Sequence, residues 1–200
     1  MAVDRERIAR AVVEILAAVG EDPSRAGLSQ TPSRVADAYE ELFAGVGVDP
    51  QTLLAETMPV DAAPVESSPG GSQSDAVIVT NIAVRSVCEH HLLPFVGQAH
   101  VAYLPDASII GLGRISRVVE SLAARPQFQE RLGEQIASAL DEGLSPRGVL
   151  VVLDSAHQCV TARGVGQMSS RTITVASRGE LSEPAARSEI MGLMHGGSDD

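Results

Sequence analysis

Aromatic residues are scarce in this 200-residue chain, which has three phenylalanines, two tyrosines and no tryptophan. The core must therefore be built from aliphatic side chains. The length corresponds to one domain, or to one domain with an appendage. No apolar run is long enough to span a bilayer, and the residues after Met1 lack the apolar stretch of a secretory signal. We expect a cytoplasmic protein with no membrane partner.

Basic residues are also few. The chain has 15 arginines and no lysine against 26 aspartates and glutamates, a formal net charge of −11. This excess of acid argues against a general binder of nucleic acids or membrane surfaces, both of which carry negative charge. Basic side chains can still be concentrated at one phosphate site, so the net charge does not exclude a nucleotide substrate.

Cysteine occurs only twice, each time beside histidine: residues 88–91 are Cys-Glu-His-His and residues 157–159 are His-Gln-Cys. Two cysteines cannot form the disulfide scaffold of a chain this long, and the neighbouring histidines favour a metal. Cys88 and His91 are close enough in sequence to bind one ion from a single turn. Two thiolates and one imidazole make a three-ligand zinc set whose fourth position is left for water, as in catalytic sites.

The second motif falls in a predicted strand over 148–160. Since side chains two residues apart share one face of a strand, we expect His157 and Cys159 to point into one cavity. One histidine of each motif would bind metal, and the other, His90 or His157, would transfer protons. Two alternatives stay open: the cysteines could be small buried hydrophobic residues, or His90 or His157 could be a fixed fourth ligand of a structural site.

Two polar residues, Gln129 and Glu130, stand at the start of a predicted helix. An acidic residue in a first turn is commonly explained by the helix dipole. The alternative is a functional glutamate that accepts two hydrogen bonds from the N–H groups of a guanine edge.

Three arginines are candidate phosphate clamps. Arg114 and Arg117 follow Gly-Leu-Gly at 111–113, a pattern too weak by itself to identify a phosphate loop. Arg163 has the strand parity of Cys159, which would point it toward the metal-bearing face. The alternative for each is a solvated surface position, although arginines in so acidic a chain suit phosphate binding.

Apolar periodicity predicts an α+β protein, an antiparallel sheet backed by helices. Helices are expected over 5–19, 31–43, 115–124 and 128–144, and strands over 76–87, 97–104, 108–112, 148–160 and 171–178, followed by a short helical tail. The first two helices form a hairpin. Pro105-Asp106 is interpreted as a hairpin turn and residues 59–74 as a loop.

In order and spacing, these motifs resemble the GTP cyclohydrolase I family. The resemblance rests on 88–95 (Cys-Glu-His-His-Leu-Leu-Pro-Phe), 111–112 (Gly-Leu), 129–132 (Gln-Glu-Arg-Leu), 157–159 with 163–165 (Arg-Gly-Val), and, near the N-terminus, 21–23 (Glu-Asp-Pro), 27–28 (Gly-Leu) and 31–36 (Thr-Pro-Ser-Arg-Val-Ala). It extends from about Arg5 to the C-terminal region.

The resemblance implies a tunnelling fold, in which each subunit contributes an antiparallel sheet with two packed helices. It divides the chain into an N-terminal helical segment, 1–58, and a catalytic domain, 59–200, with a helical tail. Subunits would close into a barrel, two pentamers would form a homodecamer, and active sites would lie at subunit interfaces. Closing a ring removes exposed strand edges.

The resemblance also implies roles for individual residues. Zinc would be held by Cys88, His91 and Cys159, and water activated there would attack C8 of GTP. Proton transfer would fall to His157 and His90. The guanine would be anchored by Gln129 and Glu130, and the triphosphate bound by Arg114, Arg117 and Arg163. Formate would leave and the product would be 7,8-dihydroneopterin triphosphate, a precursor in pterin and folate-type biosynthesis.

This chain departs from the family pattern at three places. Gly113-Arg114 replaces a usual Ser-Lys pair, Val84-Arg85-Ser86 replaces Phe-Tyr-Ser, and residues 166–168 (Gly-Gln-Met) replace a more basic and polar stretch. The metal and proton-transfer residues are retained, whereas the phosphate and ribose pocket is altered. Alternatives are therefore a related purine nucleotide as substrate, a reaction that stops at the ring-opened formamide, or a non-catalytic pterin or nucleotide binder.

Overall fold

The computed structural model describes residues 3–60 and 76–196. Most of the predicted loop 59–74 lies outside these ranges. The helices and strands, in chain order, are α1 (Arg5–Ala18), α2 (Thr31–Leu42), β1 (Thr57–Pro59), β2 (Val77–Cys88), β3 (Pro94–Leu104), β4 (Ser108–Ile110), α3 (Leu112–Ala123), β5 (Pro126–Gln127), α4 (Gln129–Leu144), β6 (Gly148–His157), α5 (Gln158–Thr161), β7 (Thr172–Gly179) and α6 (Pro184–Gly196).

Five strands form the main sheet in the order β5-β2-β3-β6-β7. All neighbouring pairs are antiparallel except β2 and β5, which run parallel and pair only at Val87–Pro126 and Cys88–Gln127. A second, two-stranded sheet pairs β1 with β4. The short parallel strand matters for the site, because it brings the start of α4 beside the first cysteine.

Helices α3 and α4 cover one face of the main sheet. Their buried side chains are aliphatic, as the scarcity of aromatic residues requires, and on α4 they include the predicted Leu132, Ile136, Ala139 and Leu140. Apolar residues three or four apart on a helix meet the alternate side chains of the strands, which gives one continuous core. On the opposite face, α6 packs over Ala102, Leu150 and Val152.

The N-terminal helices form the predicted hairpin. Asp4 caps α1 by accepting a hydrogen bond from the Arg7 amide, and Arg5 of α1 forms an ion pair with Asp37 of α2. Val12 and Ala36 are buried where the helices meet. Helix α2 begins one residue earlier than expected: Gln30, and not Thr31, is the capping residue, and Thr31 is already helical.

Three local predictions are wrong. Residues 158–160 do not continue strand β6: it ends at His157, and Gln158–Thr161 forms a helical turn. Pro105-Asp106 does not close a hairpin either, because β3 pairs with β2 and β6 while β4 pairs with β1. Leu112, predicted as strand, begins α3. In each case the local pattern was compatible with two conformations, and the structure adopts the one that was not predicted. For β4, the pairing with β1 decides between them.

The α+β class is confirmed, with an antiparallel sheet, two helices packed on it and a helical hairpin before it. This is the arrangement expected of a tunnelling-fold subunit. Among the described residues, none of the helices is both long enough and apolar enough to cross a membrane.

Candidate active site

The structure brings together one ligand atom from each of Cys88, His91 and Cys159, and these three atoms lie within 4.8 Å of one another. Cys88 is buried, Cys159 is half-buried and His91 is exposed. The cysteine side of the group is therefore the more buried one, and the histidine side is exposed to solvent. Such a set can hold a metal while leaving one position accessible to solvent.

The first two ligands belong to a tight connection between β2 and β3. Cys88 ends β2, its amide donates to the Leu93 carbonyl at 2.8 Å, and its carbonyl accepts from the Leu92 amide at 2.9 Å. Leu92 takes a left-handed conformation (φ 52°), which is uncommon for a residue with a branched side chain and allows this narrow turn. The turn folds His91 back toward Cys88.

The third ligand reaches the group from the helical turn α5. His157 and Cys159 are thus not on one strand face as predicted; the turn moves Cys159 away from the strand direction. Arg163 lies two residues past α5, so it does not share a strand face with Cys159 as predicted. Its guanidinium nevertheless lies at the group, with Nη2 3.5 Å from His91 Nε2.

Gln129 orients His157. The Gln129 side chain is 1% exposed. Its Nε2 donates to the Leu153 and Thr172 carbonyls at 3.1 and 2.8 Å and to Thr174 Oγ1 at 3.1 Å. This leaves Gln129 Oε1 to face His157 Nε2 at 2.8 Å.

Because that oxygen can only accept, His157 Nε2 carries the hydrogen and Nδ1 is left free to accept or deliver a proton. The His157 ring is also stacked on Phe95, with centroids 4.6 Å apart and planes at 13°. The expected contact of Gln129 with a guanine edge finds no support here, since both ends of its amide are bonded within the protein.

Burial lowers the pKa of His157, and the negative charge of Glu130 offsets this in part. The neutral imidazole is therefore favoured near neutral pH. Burial and the neighbouring Cys88 raise the pKa of the Cys159 thiol, while Arg163 acts in the opposite direction. The Cys159 thiol therefore resists ionisation without a cation, and a bound cation would reverse this preference.

His90 does not join the ligand group. Its ring packs against Phe128, with centroids 4.4 Å apart, and lies 6.1 Å from the ring of His91. The two adjacent histidines therefore have different neighbours: His91 faces the two cysteines and His90 packs on Phe128.

The remaining predicted substrate residues are dispersed within one chain. Glu130 is exposed in the first turn of α4. Arg114 forms an ion pair with Glu56 and donates to the Leu53 carbonyl at 3.1 Å. Arg117 lines a cavity of about 490 Å³ together with Arg85, and no member of the Cys-His-Cys group lines it. Of the predicted substrate residues, all of which the structure describes, Arg163 is the one with a polar contact to the metal-binding group.

The donor set suits zinc. Two sulfur atoms and one imidazole nitrogen are soft and borderline ligands, which select zinc over magnesium or calcium. The raised pKa of the Cys159 thiol in the protein alone is what two converging sulfur ligands without a cation would give. The residues present therefore fit this ion.

Comparisons with known proteins agree with the geometry. The family model described as GTP cyclohydrolase I matches residues 8–195. Proteins named GTP cyclohydrolase 1 from Leifsonia xyli subsp. xyli, Streptomyces avermitilis and Acetivibrio thermocellus are 58%, 47% and 42% identical to this chain. The alignments cover 96%, 96% and 97% of this chain and 95%, 90% and 99% of those proteins.

One solved structure, an archaeosine synthase QueF-like protein in its apo form, is 16% identical with a TM-score of 0.42. It covers 54% of this chain and 97% of that one, and the similarity is too low to carry an argument.

Proposed function

Because this chain belongs to the GTP cyclohydrolase I family, and is thus a hydrolase of that type, we propose that it opens the imidazole ring of GTP at C8 with a zinc ion held by Cys88, His91 and Cys159. Formate is released and 7,8-dihydroneopterin triphosphate is formed, which supplies pterin and tetrahydrofolate biosynthesis. The observation that carries the proposal is the convergence of the three ligand atoms within 4.8 Å.

Zinc in this group supplies Lewis-acid chemistry that activates water at neutral pH. His157 transfers the proton. Its lowered pKa keeps the ring neutral, and its Nδ1 accepts a proton from the attacking water and delivers it to the ring nitrogen whose bond to C8 breaks. Gln129 and Phe95 hold the ring so that this nitrogen stays aimed at the substrate. His90 assists proton transfer from the other side of the group.

Substrate binding is assigned to charged side chains around this centre. Glu130 is exposed near His157 and accepts hydrogen bonds from the guanine N–H groups. Arg163, beside His91, binds a phosphate oxygen. Arg114 and Arg117 bind the rest of the triphosphate, with Arg114 exchanging its partner Glu56 for phosphate.

Because Arg117 lines a cavity apart from the ligand group, we assign the phosphate-binding arginines to a site shared between two subunits. Within the described residues, β7 pairs only with β6, so one edge of the sheet is open. Ile173 and Val175 on that strand are 62% and 42% exposed. Pairing of such edges between copies would close a ring, in keeping with the proposed homodecamer of two pentamers.

Product analysis tests the proposal against its alternatives. Zinc-loaded protein is incubated with GTP, and formate is measured together with the fluorescence of the oxidised pterin. Equal amounts of both products are expected. Formate without pterin would indicate ring opening without reclosure. Activity only on another purine nucleotide would identify that nucleotide, and not GTP, as the substrate. Zinc binding with no product from any purine nucleotide would support a non-catalytic binder.

A further inference from the structure

We infer that Arg131 is a positioning residue that holds the ligand-bearing turn 88–93 in place through Glu89. Glu89 lies between Cys88 and His90, and its carboxylate forms an ion pair with Arg131 of helix α4. The Arg131 and Glu89 side chains are 41% and 30% exposed. This inference rests on the metal centre proposed above.

Arg131 is itself fixed on three sides. Its Nη2 donates to the Pro126 carbonyl at 3.1 Å and its Nε donates to Gln127 Oε1 at 3.0 Å. Its guanidinium carbon lies 5.0 Å from the centroid of the Phe128 ring, a cation–π contact. A planar guanidinium with several directed donors can be held this rigidly, whereas a lysine ammonium cannot.

The support behind Arg131 is buried. Gln127 is 1% exposed and donates to the Leu122 carbonyl at 2.9 Å and to Gln135 Oε1 at 2.8 Å. The Gln127 carbonyl also accepts from the Glu89 amide at 3.1 Å. The Glu89 backbone and carboxylate are therefore both tied to the segment 126–131.

The same segment restrains the histidine that does not bind metal. The Phe128 ring contacts the Arg131 guanidinium and also the His90 ring. The centroids of the Phe128 and His90 rings are 4.4 Å apart. We call Arg131, Phe128, Glu89 and Gln127 the Arg131 bracket. It includes Glu89 and contacts His90, the two residues that lie between the ligands Cys88 and His91. His91 is exposed, so it depends on this bracket for its direction toward Cys88 and Cys159.

The bracket should act on metal retention. Groups that orient ligands typically change metal affinity by about 10- to 100-fold when removed. We expect Arg131→Met to release zinc to a chromophoric chelator at least about 10-fold faster than the wild-type protein. Glu89→Gln, a change of one atom that should leave folding intact, is expected to act in the same direction, and Arg131→Lys should recover part of the loss.

The control is Glu134→Gln, which breaks an ion pair between the same helix and Arg178 of β7 and changes no residue of the turn or of the Arg131 bracket. It should release zinc at the wild-type rate. The double variant Arg131→Met with Glu89→Gln should release zinc no faster than Arg131→Met alone, since both changes remove one interaction. Thermal unfolding midpoints of the zinc-free variants show whether faster zinc release reflects a general loss of stability.

Unaltered zinc release in both single variants, additive effects in the double variant, or equal acceleration by Glu134→Gln would overturn the inference while leaving the metal centre intact. A wild-type protein that binds no zinc would overturn both.

Discussion

At the scale of single residues, the proposed division between metal binding and proton transfer rests on the different positions of the histidine side chains. His90 and His91 are adjacent, yet one ring packs on Phe128 and the other faces the two cysteines. His157 is held by an amide and an aromatic ring rather than by a charge. Each histidine therefore has one set of neighbours that fits one task.

The two adjacent histidines give the first prediction. His91→Ala removes a ligand and should abolish stoichiometric zinc binding, whereas His90→Ala should keep zinc and lose activity. Metal content after dialysis and turnover of GTP are measured on both variants. Zinc loss in His90→Ala with retention in His91→Ala would reverse the assignment.

The lowered pKa of His157 predicts a pH dependence of stability for the zinc-free protein. Its ordinary pKa is 6.5 and burial lowers it in the folded state. Between the lowered value and 6.5, the unfolded chain binds a proton that the folded chain does not. The free energy of unfolding therefore falls as pH drops below about 6.5 and is unaffected by His157 above it.

Urea unfolding at about pH 7.5 and about pH 5.5, with chelator present, measures this effect. His157→Gln should lose less stability than the wild-type protein on acidification, because other groups titrate equally in both. An equal loss in the two proteins would show that His157 is not perturbed by burial.

At the scale of elements, the approach between β3 and β6 requires glycine. A Cβ on Gly97 would lie 2.0 Å from the Asp154 carbonyl oxygen and 2.5 Å from Ser155 Oγ. On Gly113, in the first turn of α3, a Cβ would meet no heavy atom within 4 Å. Glycine is therefore sterically required at position 97 but not at position 113.

Alanine at these positions should act in opposite directions. Gly97→Ala is expected to destabilise the protein by about 1–3 kcal/mol through overpacking. Gly113→Ala should stabilise it by up to about 1 kcal/mol, because alanine has the higher helix propensity. Denaturant unfolding measures both. A neutral Gly97→Ala would mean that the strands separate without cost.

The second motif shows what the sequence could and could not determine. The spacing of Cys88, His91 and Cys159 predicted a metal group, and the structure brings these residues together. The path of the chain was predicted wrongly, because residues 157–160 are too short to distinguish strand from a helical turn. The helix α4 and its buried face were predicted correctly, since sixteen residues give a clear period.

The support around the site could not be predicted from local pattern. Arg131 and Gln127 reach Glu89 because β5 pairs in parallel with the end of β2, a contact between residues about 40 apart in the chain. Gln129 was expected to meet substrate, although its environment depends on carbonyls from β6 and β7. Such contacts become visible only when the strand order is known.

At the scale of the whole molecule, one of the three candidate phosphate arginines, Arg163, lies at the metal-binding group, whereas Arg114 and Arg117 lie apart from it. Arg114 and Arg117 have other surroundings within the chain. Within residues 3–60 and 76–196, β7 has no partner strand beyond β6, and its Ile173 and Val175 are exposed, which supports the proposed assembly. The proposed ring would unite the two halves of the site from different copies.

Mixing of subunits tests this shared site. His157→Ala and Arg117→Ala should each be inactive alone. Unfolded together and refolded as mixed oligomers, they should recover up to about a quarter of wild-type activity, because random assembly pairs an intact metal half with an intact arginine half. Mixed oligomers with no activity would place the whole site within one subunit.

Titration of zinc into chelator-treated protein tests the central claim most directly. Formate and pterin formation from GTP are followed as zinc is added, and bound metal is measured at each step. The proposal predicts that turnover rises in proportion to bound zinc and reaches a plateau at one ion per chain. Full turnover in protein free of zinc, or full occupancy without formate, would contradict the proposal that the Cys-His-Cys group is a catalytic zinc centre.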